Sequence, residues 1–313
     1  MRHFHSKPLA AVFLIAFCRC ASADAIDGLL ADYDRVTAQG RVTHQIDIDN
    51  DTLLFNRNDG FYTSGIRYTQ LSALRNAGST TTFGWRLGQD LYTASDIKLP
   101  PEQVGPPDHP YAGWLYGGFF RQIEHADGTH VKLGIDIGCL GPCAGGEWTQ
   151  TNFHRLINQP LPQGWSKQVK NEIGAVLYAD VAPIRWTPSR MIDITPSLNG
   201  RIGNIFTDIG AGVTMRAGRF DASPDHASFH GFVRADLHAV GYNATLQGGY
   251  FSHDNPHTVE PKHFVGEAEA GVAWAYGAYG ARLAIVRRSN EIRDLPNSIG
   301  AQNYVHLLFS YTP

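Results

Sequence analysis

From about residue 40 to the C-terminus this chain alternates apolar and polar residues, and it contains no apolar run long enough to cross a bilayer as a helix. Val131, Leu133, Ile135 and Ile137 alternate with His130, Lys132, Gly134 and Asp136. Val233, Ala235, Leu237 and Ala239 alternate with Arg234, Asp236 and His238, and Ala268, Ala270, Val272 and Trp274 with Glu267, Glu269 and Gly271. Ile192 and Ile194 flank Asp193, and Val305, Leu307, Phe309 and Tyr311 form the last such set. A period of two places successive side chains on opposite faces of a strand. A chain of this kind folds either as a soluble sandwich with the apolar face inward, or as a membrane barrel with the apolar face on lipid.

Three features favour the barrel. The alternating stretches run about ten to fourteen residues, near the length a tilted strand needs to span a bilayer. Their polar faces carry full charges (Arg201, Arg234, Asp236, Glu267, Glu269, Arg282), which suits a lumen in which charges pair. The final strand is rich in aromatic residues, which supply interfacial girdles. The expected fold is therefore all-β, a 12-stranded antiparallel transmembrane β-barrel with long extracellular loops and a short loop helix. Strands are expected to begin near 41, 62, 80, 112, 129, 168, 189, 206, 227, 262, 278 and 301. Residues 243–252 read as the ninth strand running on into a loop. Twelve is even, so both termini share the periplasmic side, where most turns are short; the long connections gather at the other end.

The N-terminus has the layout of a secretory signal peptide: Arg2 and Lys7, an apolar core Leu9–Phe17, and the small-x-small site Ala21-Ser22-Ala23. Cleavage after Ala23 would leave residues 24–313 as one barrel domain in the outer membrane of a Gram-negative bacterium. Cleavage takes Arg2, Lys7 and Arg19 from the 26 basic residues and leaves all 29 acidic ones. A mildly acidic chain is poorly suited to nucleic acid. Cys139 and Cys143 remain; an exported chain permits a disulfide between them, and no further ligands at zinc spacing accompany them.

Chemistry-bearing residues gather at the expected long-loop end, around one barrel mouth. They are Asp49-Asn50-Asp51 at the end of the first strand, Tyr62-Thr63-Ser64-Gly65 at the start of the second, and Lys98 after the third. To these add Pro110-Tyr111-Ala112-Gly113-Trp114, and Gly146 to His154 in the loop after the fifth strand. If residues 147–154 are helical, Glu147, Gln150 and His154 share a face. Taken singly, the Asp/Asn clusters read as turns and Lys98 as solvated surface; their convergence on one end sets them apart.

The stretches Asn50-Asp51, Asp59 to Gly65, Pro110 to Trp114, Gly138 to His154, Gln159 to Trp165 and Asn171-Glu172 follow one another across residues 42–183. In that order they resemble the lipid A 3′-O-deacylase family of outer-membrane barrels. The resemblance implies calcium-dependent hydrolysis of the ester-linked acyl chains at the 3′ position of lipid A, by a monomer among outer-membrane lipids. It implies His154 as the base that activates a water, Gln150 beside it, and Asn50, Asp51 and Thr63 completing the site. Asp51 with backbone carbonyls is the calcium candidate, and Lys98 would meet a lipid A phosphate. The chain departs from the family between His154 and Trp165, where Gln159-Pro160-Leu161-Pro162-Gln163 offers no carboxylate; Asp49 and Glu147 are the candidates to replace it. Ser64 is a substrate contact or, alternatively, a nucleophile, although no nucleophile elbow surrounds it. Two other readings stand beside the deacylase: a non-catalytic pore or receptor, and an outer-membrane phospholipase.

Overall fold

The computed structural model describes residues 23–51, 60–220 and 226–313. The expected signal peptide, apart from Ala23, lies outside them. A helix α1 (Ala23–Gln39) precedes six strands: β1 (Arg41–Asn50), β2 (Phe61–Arg75), β3 (Ser79–Thr93), β4 (Ala112–His125), β5 (His130–Leu140) and β6 (Glu172–Ala182). Between β5 and β6 lies α2 (Gly146–Leu156). There follow β7 (Trp186–Ser189), β8 (Ile192–Gly203), β9 (Phe206–Arg219), β10 (Ser228–Asn243), the one-turn α3 (Ala244–Gln247), β11 (Phe264–Tyr276), β12 (Tyr279–Arg288), the one-turn α4 (Asn297–Gly300) and β13 (Gln302–Tyr311). No helix among the described residues is long and apolar enough to cross a membrane.

Consecutive strands pair antiparallel except β6 and β7, and β1 closes on β13 from His44↔Tyr311 to Asn50↔Val305. The ring is completed by β6 and β8, paired from Val176↔Gly203 to Val181↔Leu198. Twelve strands therefore make a closed barrel, which leaves no free edge. The short β7 is the one element outside the ring; it pairs only with β8. The expected strand starts agree with these bounds to within a few residues. Residues 244–247 form α3, not a further strand.

The two faces follow the alternation. Leu133, Ile137, Val233, Leu237, Ile285 and Phe309 stand exposed on the outside, as a lipid-facing belt requires. Inside, opposite charges meet. Arg86 grips Asp136 with two hydrogen bonds, Arg185 and Arg216 share Asp193, Arg234 pairs with Asp236, and Arg282 reaches Glu269 at 2.8 Å. Asp49 is held by Arg67, by the Tyr62 hydroxyl at 2.8 Å and by His306. Buried charges persist only when paired in this way. Towards the long-loop end the lumen is closed by Tyr62, Tyr92, Trp114, Tyr116, Phe206 and Tyr304, packed as one cluster. An interior filled with paired charges and capped by aromatic rings leaves little room for a solute path.

Candidate functional site on the outer wall

On β3 the lumen-facing residues are Arg86, which pairs with Asp136, and Asp90, which pairs with Arg67. Alternation then puts Gln89, Leu91 and Thr93 on the outer face. The loop after β5 folds down over that face. Gln89 donates its amide N–H to the Ala144 carbonyl at 2.7 Å, and Gly141 N–H bonds to the Gly113 carbonyl. Close approach depends on missing side chains: a Cβ on Gly113 would lie 3.0 Å from the Ala144 Cβ, and one on Gly146 2.6 Å from the Trp165 ring. The candidate site thus sits at the expected end of the barrel, but on the outside of the wall and not around the mouth.

The helix α2 turns one edge to the wall. Gly146, Gln150 and His154, each four residues apart, are its buried residues. Its other flank carries Trp148, Phe153 and Leu156, with Leu156 81% exposed. A helix that is apolar on its exposed side belongs in lipid. Glu147, expected to share a face with Gln150 and His154, is exposed on the first turn.

Two hydrogen bonds fix the chemistry of the buried pair. His154 Nδ1 lies 2.6 Å from the carbonyl oxygen of Pro160. A carbonyl only accepts, so Nδ1 carries the proton and Nε2 of the neutral ring is left as the basic atom. The indole N–H of the buried Trp165 donates to Gln150 Oε1 at 2.8 Å. That fixes the Gln150 amide with its oxygen towards Trp165 and its N–H groups turned away as donors. Trp165 in turn packs edge-on against Tyr111 at 5.2 Å, in a cluster with Leu91, Ala94 and Val104.

The other candidates stand on the same wall, one strand or two away. Asn50 and Ser64 face each other across β1 and β2. Thr63 occupies a register shift between Tyr62 and Ser64, a bulge that turns its side chain out of the regular pattern. Its buried hydroxyl lies 2.6 Å from that of Thr93 on β3, the strand that runs beneath α2. Asp51 is buried, and its Oδ2 accepts the Gly60 N–H at 3.0 Å. Lys98 is exposed in the loop after β3. That loop is tied to the segment after α2 by a bond from Gln163 N–H to the Ile97 carbonyl.

Not every expected metal ligand fits. Asp49 points into the lumen and is committed to Arg67, Tyr62 and His306, so it is not available on the outer wall. Glu147 is solvent-facing. Among the described residues no three His, Cys, Asp or Glu side chains come together as a metal site. A calcium ion here would rest on Asp51 and on oxygens of other kinds, a donor mixture this cation accepts. Cys139 and Cys143 are joined, which pins the turn before α2 to the end of β5.

Sequence reasoning missed the Pro160 carbonyl, a main-chain atom that no side-chain pattern can reveal. It also missed the hydroxyl of Thr93. The Trp165 indole was visible as part of a motif, but its hydrogen bond was not.

Comparison with known proteins gives one family and a set of folds. Residues 9–312 match the family model of the outer membrane protein LpxR. The structure of LpxR from Salmonella typhimurium superimposes with a TM-score of 0.72 at 20% identity, covering 86% of this chain and 99% of that one. The β-domain of the Bordetella autotransporter BrkA superimposes with a TM-score of 0.51 at 11% identity, covering 87% and 98%. No curated protein matches the chain.

Proposed function

This chain belongs to the LpxR family of outer membrane proteins, and on that premise we propose that it is a lipid A deacylase that removes the 3′-linked acyl chains. The observation that carries the reading is the buried His154 on the lipid side of the wall, its Nδ1 proton committed to Pro160. A membrane-embedded ester reaches such a base without leaving the leaflet.

In this reading a water lies between His154 Nε2 and the ester carbonyl. Nε2 takes its proton as the oxygen attacks the carbonyl carbon. The Gln150 N–H groups would donate to the developing oxyanion. When the tetrahedral species collapses, the bond to the 3′ oxygen breaks and the imidazolium returns its proton to that oxygen. Asn50 and Thr63 position the water and the ester, Ser64 contacts substrate, and Lys98 meets a phosphate. Asp51 would hold a calcium ion, which when bound supplies Lewis-acid stabilisation of the carbonyl oxygen. The chain is exported by cleavage after Ala23 and acts as a monomer.

The test is mass spectrometry of lipid A from cells expressing the wild type or His154→Ala, with and without chelation of calcium. Loss of the 3′ acyl chains with wild type alone, abolished by chelation, is the expected result. Unchanged lipid A with correctly inserted protein overturns the reading, and loss of phospholipid chains instead makes the protein a phospholipase.

A further inference from the structure

The helix α1 (Ala23–Gln39), in a stretch without the strand alternation, lies on the outside of the barrel. Its position follows from strand parity. On β4 Phe120 faces the lumen, with the Lys132 ammonium 4.0 Å over its ring. Phe119 and Arg121 therefore face outward, as do Phe83 and Trp85 on β3. Tyr33 of α1 packs edge-on against Phe83 at 5.3 Å and Phe119 at 5.8 Å, and its hydroxyl accepts the Trp85 indole N–H at 3.3 Å. Asp32 bonds to Arg121 and to Arg35. Val36 is fully buried, and Phe83, on the lipid-facing side, is only 2% exposed because α1 covers it. These contacts lie near the short-turn ends of β2, β3 and β4, on the periplasmic side.

The helix has more apolar surface than the wall can cover. Ile26, Leu29, Leu30 and Tyr33 follow the i, i+3, i+4, i+7 spacing of one apolar stripe. Tyr33 meets the barrel, while Ile26, Leu29 and Leu30 remain 40–55% exposed. Asp27 and Asp34 flank the stripe beside Leu30, and Gly28, Ala31 and Arg35 occupy the opposite side. The exposed stripe is continuous with the lipid belt of the barrel through Trp85 and Leu87, both more than half exposed.

We propose that α1 is an interfacial helix whose Ile26–Leu29–Leu30 stripe is covered by phospholipid of the inner leaflet. One side rests on β3 and β4, the apolar stripe enters the acyl chains, and the polar side opposite the stripe faces the periplasm. Asp32 has a separate part: it neutralises Arg121, a guanidinium that would otherwise stand alone on the lipid-facing wall, where an unpaired charge is costly. This inference rests on the barrel in its membrane and not on any catalytic activity.

The test uses the full chain with Cys18 and Cys20 replaced by serine, refolded into vesicles of phosphatidylethanolamine and phosphatidylglycerol. A nitroxide is attached at Leu30→Cys, at Leu29→Cys as a second site on the stripe, or at Ala31→Cys on the opposite side. Collision with oxygen, which partitions into lipid, is compared with collision with a water-soluble nickel chelate. The oxygen-to-nickel ratio is expected to be severalfold higher at positions 29 and 30 than at 31. Equal ratios with free nickel access would mean the stripe lies in water. Low access to both reagents, or dipolar broadening between labels, would mean that protein or a second copy covers it. Either result overturns the proposal.

Discussion

A single proton position decides what His154 can do. Because Nδ1 is tied to a main-chain carbonyl, no second side chain is needed to set the tautomer. His154→Ala should lower deacylation at least about 100-fold, the usual contribution of a positioned general base. Trp165→Phe keeps the ring but removes the bond to Gln150 Oε1. It removes one hydrogen bond from the buried Gln150, at a cost of about 1 kcal/mol, and loosens the hold on the amide's orientation. The expected outcome in steady-state kinetics is a fall in kcat with KM little changed.

At the scale of elements, the contact between α2 and the wall is what makes a site out of separate strands. A methyl on Gly146 would press on the Trp165 ring and on Leu91 at 2.9 Å. Gly146→Ala should cost about 1–3 kcal/mol by overpacking and displace α2. Activity is expected to fall while the barrel keeps its gel mobility and its circular dichroism. The loops over the lumen carry a pH dependence of their own. His109, stacked on Tyr92 at 5.5 Å, and His257 are buried, and burial holds the pKa of each below the ordinary histidine value, against the opposing pull of Asp108. A histidine whose folded pKa is lowered binds fewer protons folded than unfolded. The stability it lends is therefore present above the unfolded pKa, about 6.5, and is lost as pH falls below it. Limited proteolysis of the loops at 94–111 and 248–261 should speed up between pH 7 and pH 5, and His257→Gln should flatten that profile.

For the molecule as a whole, the lumen is a lattice of ion pairs and the outside a greasy belt. Breaking one pair strands the other charge: Arg86→Ala leaves Asp136 buried without its guanidinium. Such a loss costs about 3–5 kcal/mol and should appear as a lower thermal midpoint in detergent. No new conductance in planar bilayers is expected, because the aromatic cluster at the long-loop end still closes the lumen.

The alternation from Arg41 to Tyr311, together with the strand lengths, the charged polar faces and the aromatic last strand, pointed to an antiparallel barrel, its twelve strands and its long-loop end, because strands long enough to cross a bilayer with one charged face leave few other solutions. It also drew Asn50, Thr63, Gln150 and His154 to one end, through motifs on neighbouring strands and one loop. What it did not decide is the side of the wall. That depends on how the loop from Gly141 to Val169 folds over β3 and β4, through contacts between residues such as Gln89 and Ala144 that lie 55 apart in the chain. The same holds for Asp49 and Asp51, alike and adjacent in sequence. Only the packed structure commits the first to Arg67 in the lumen and gives the second the Gly60 N–H, because a carboxylate's partners are set by which neighbours the closed barrel brings to it.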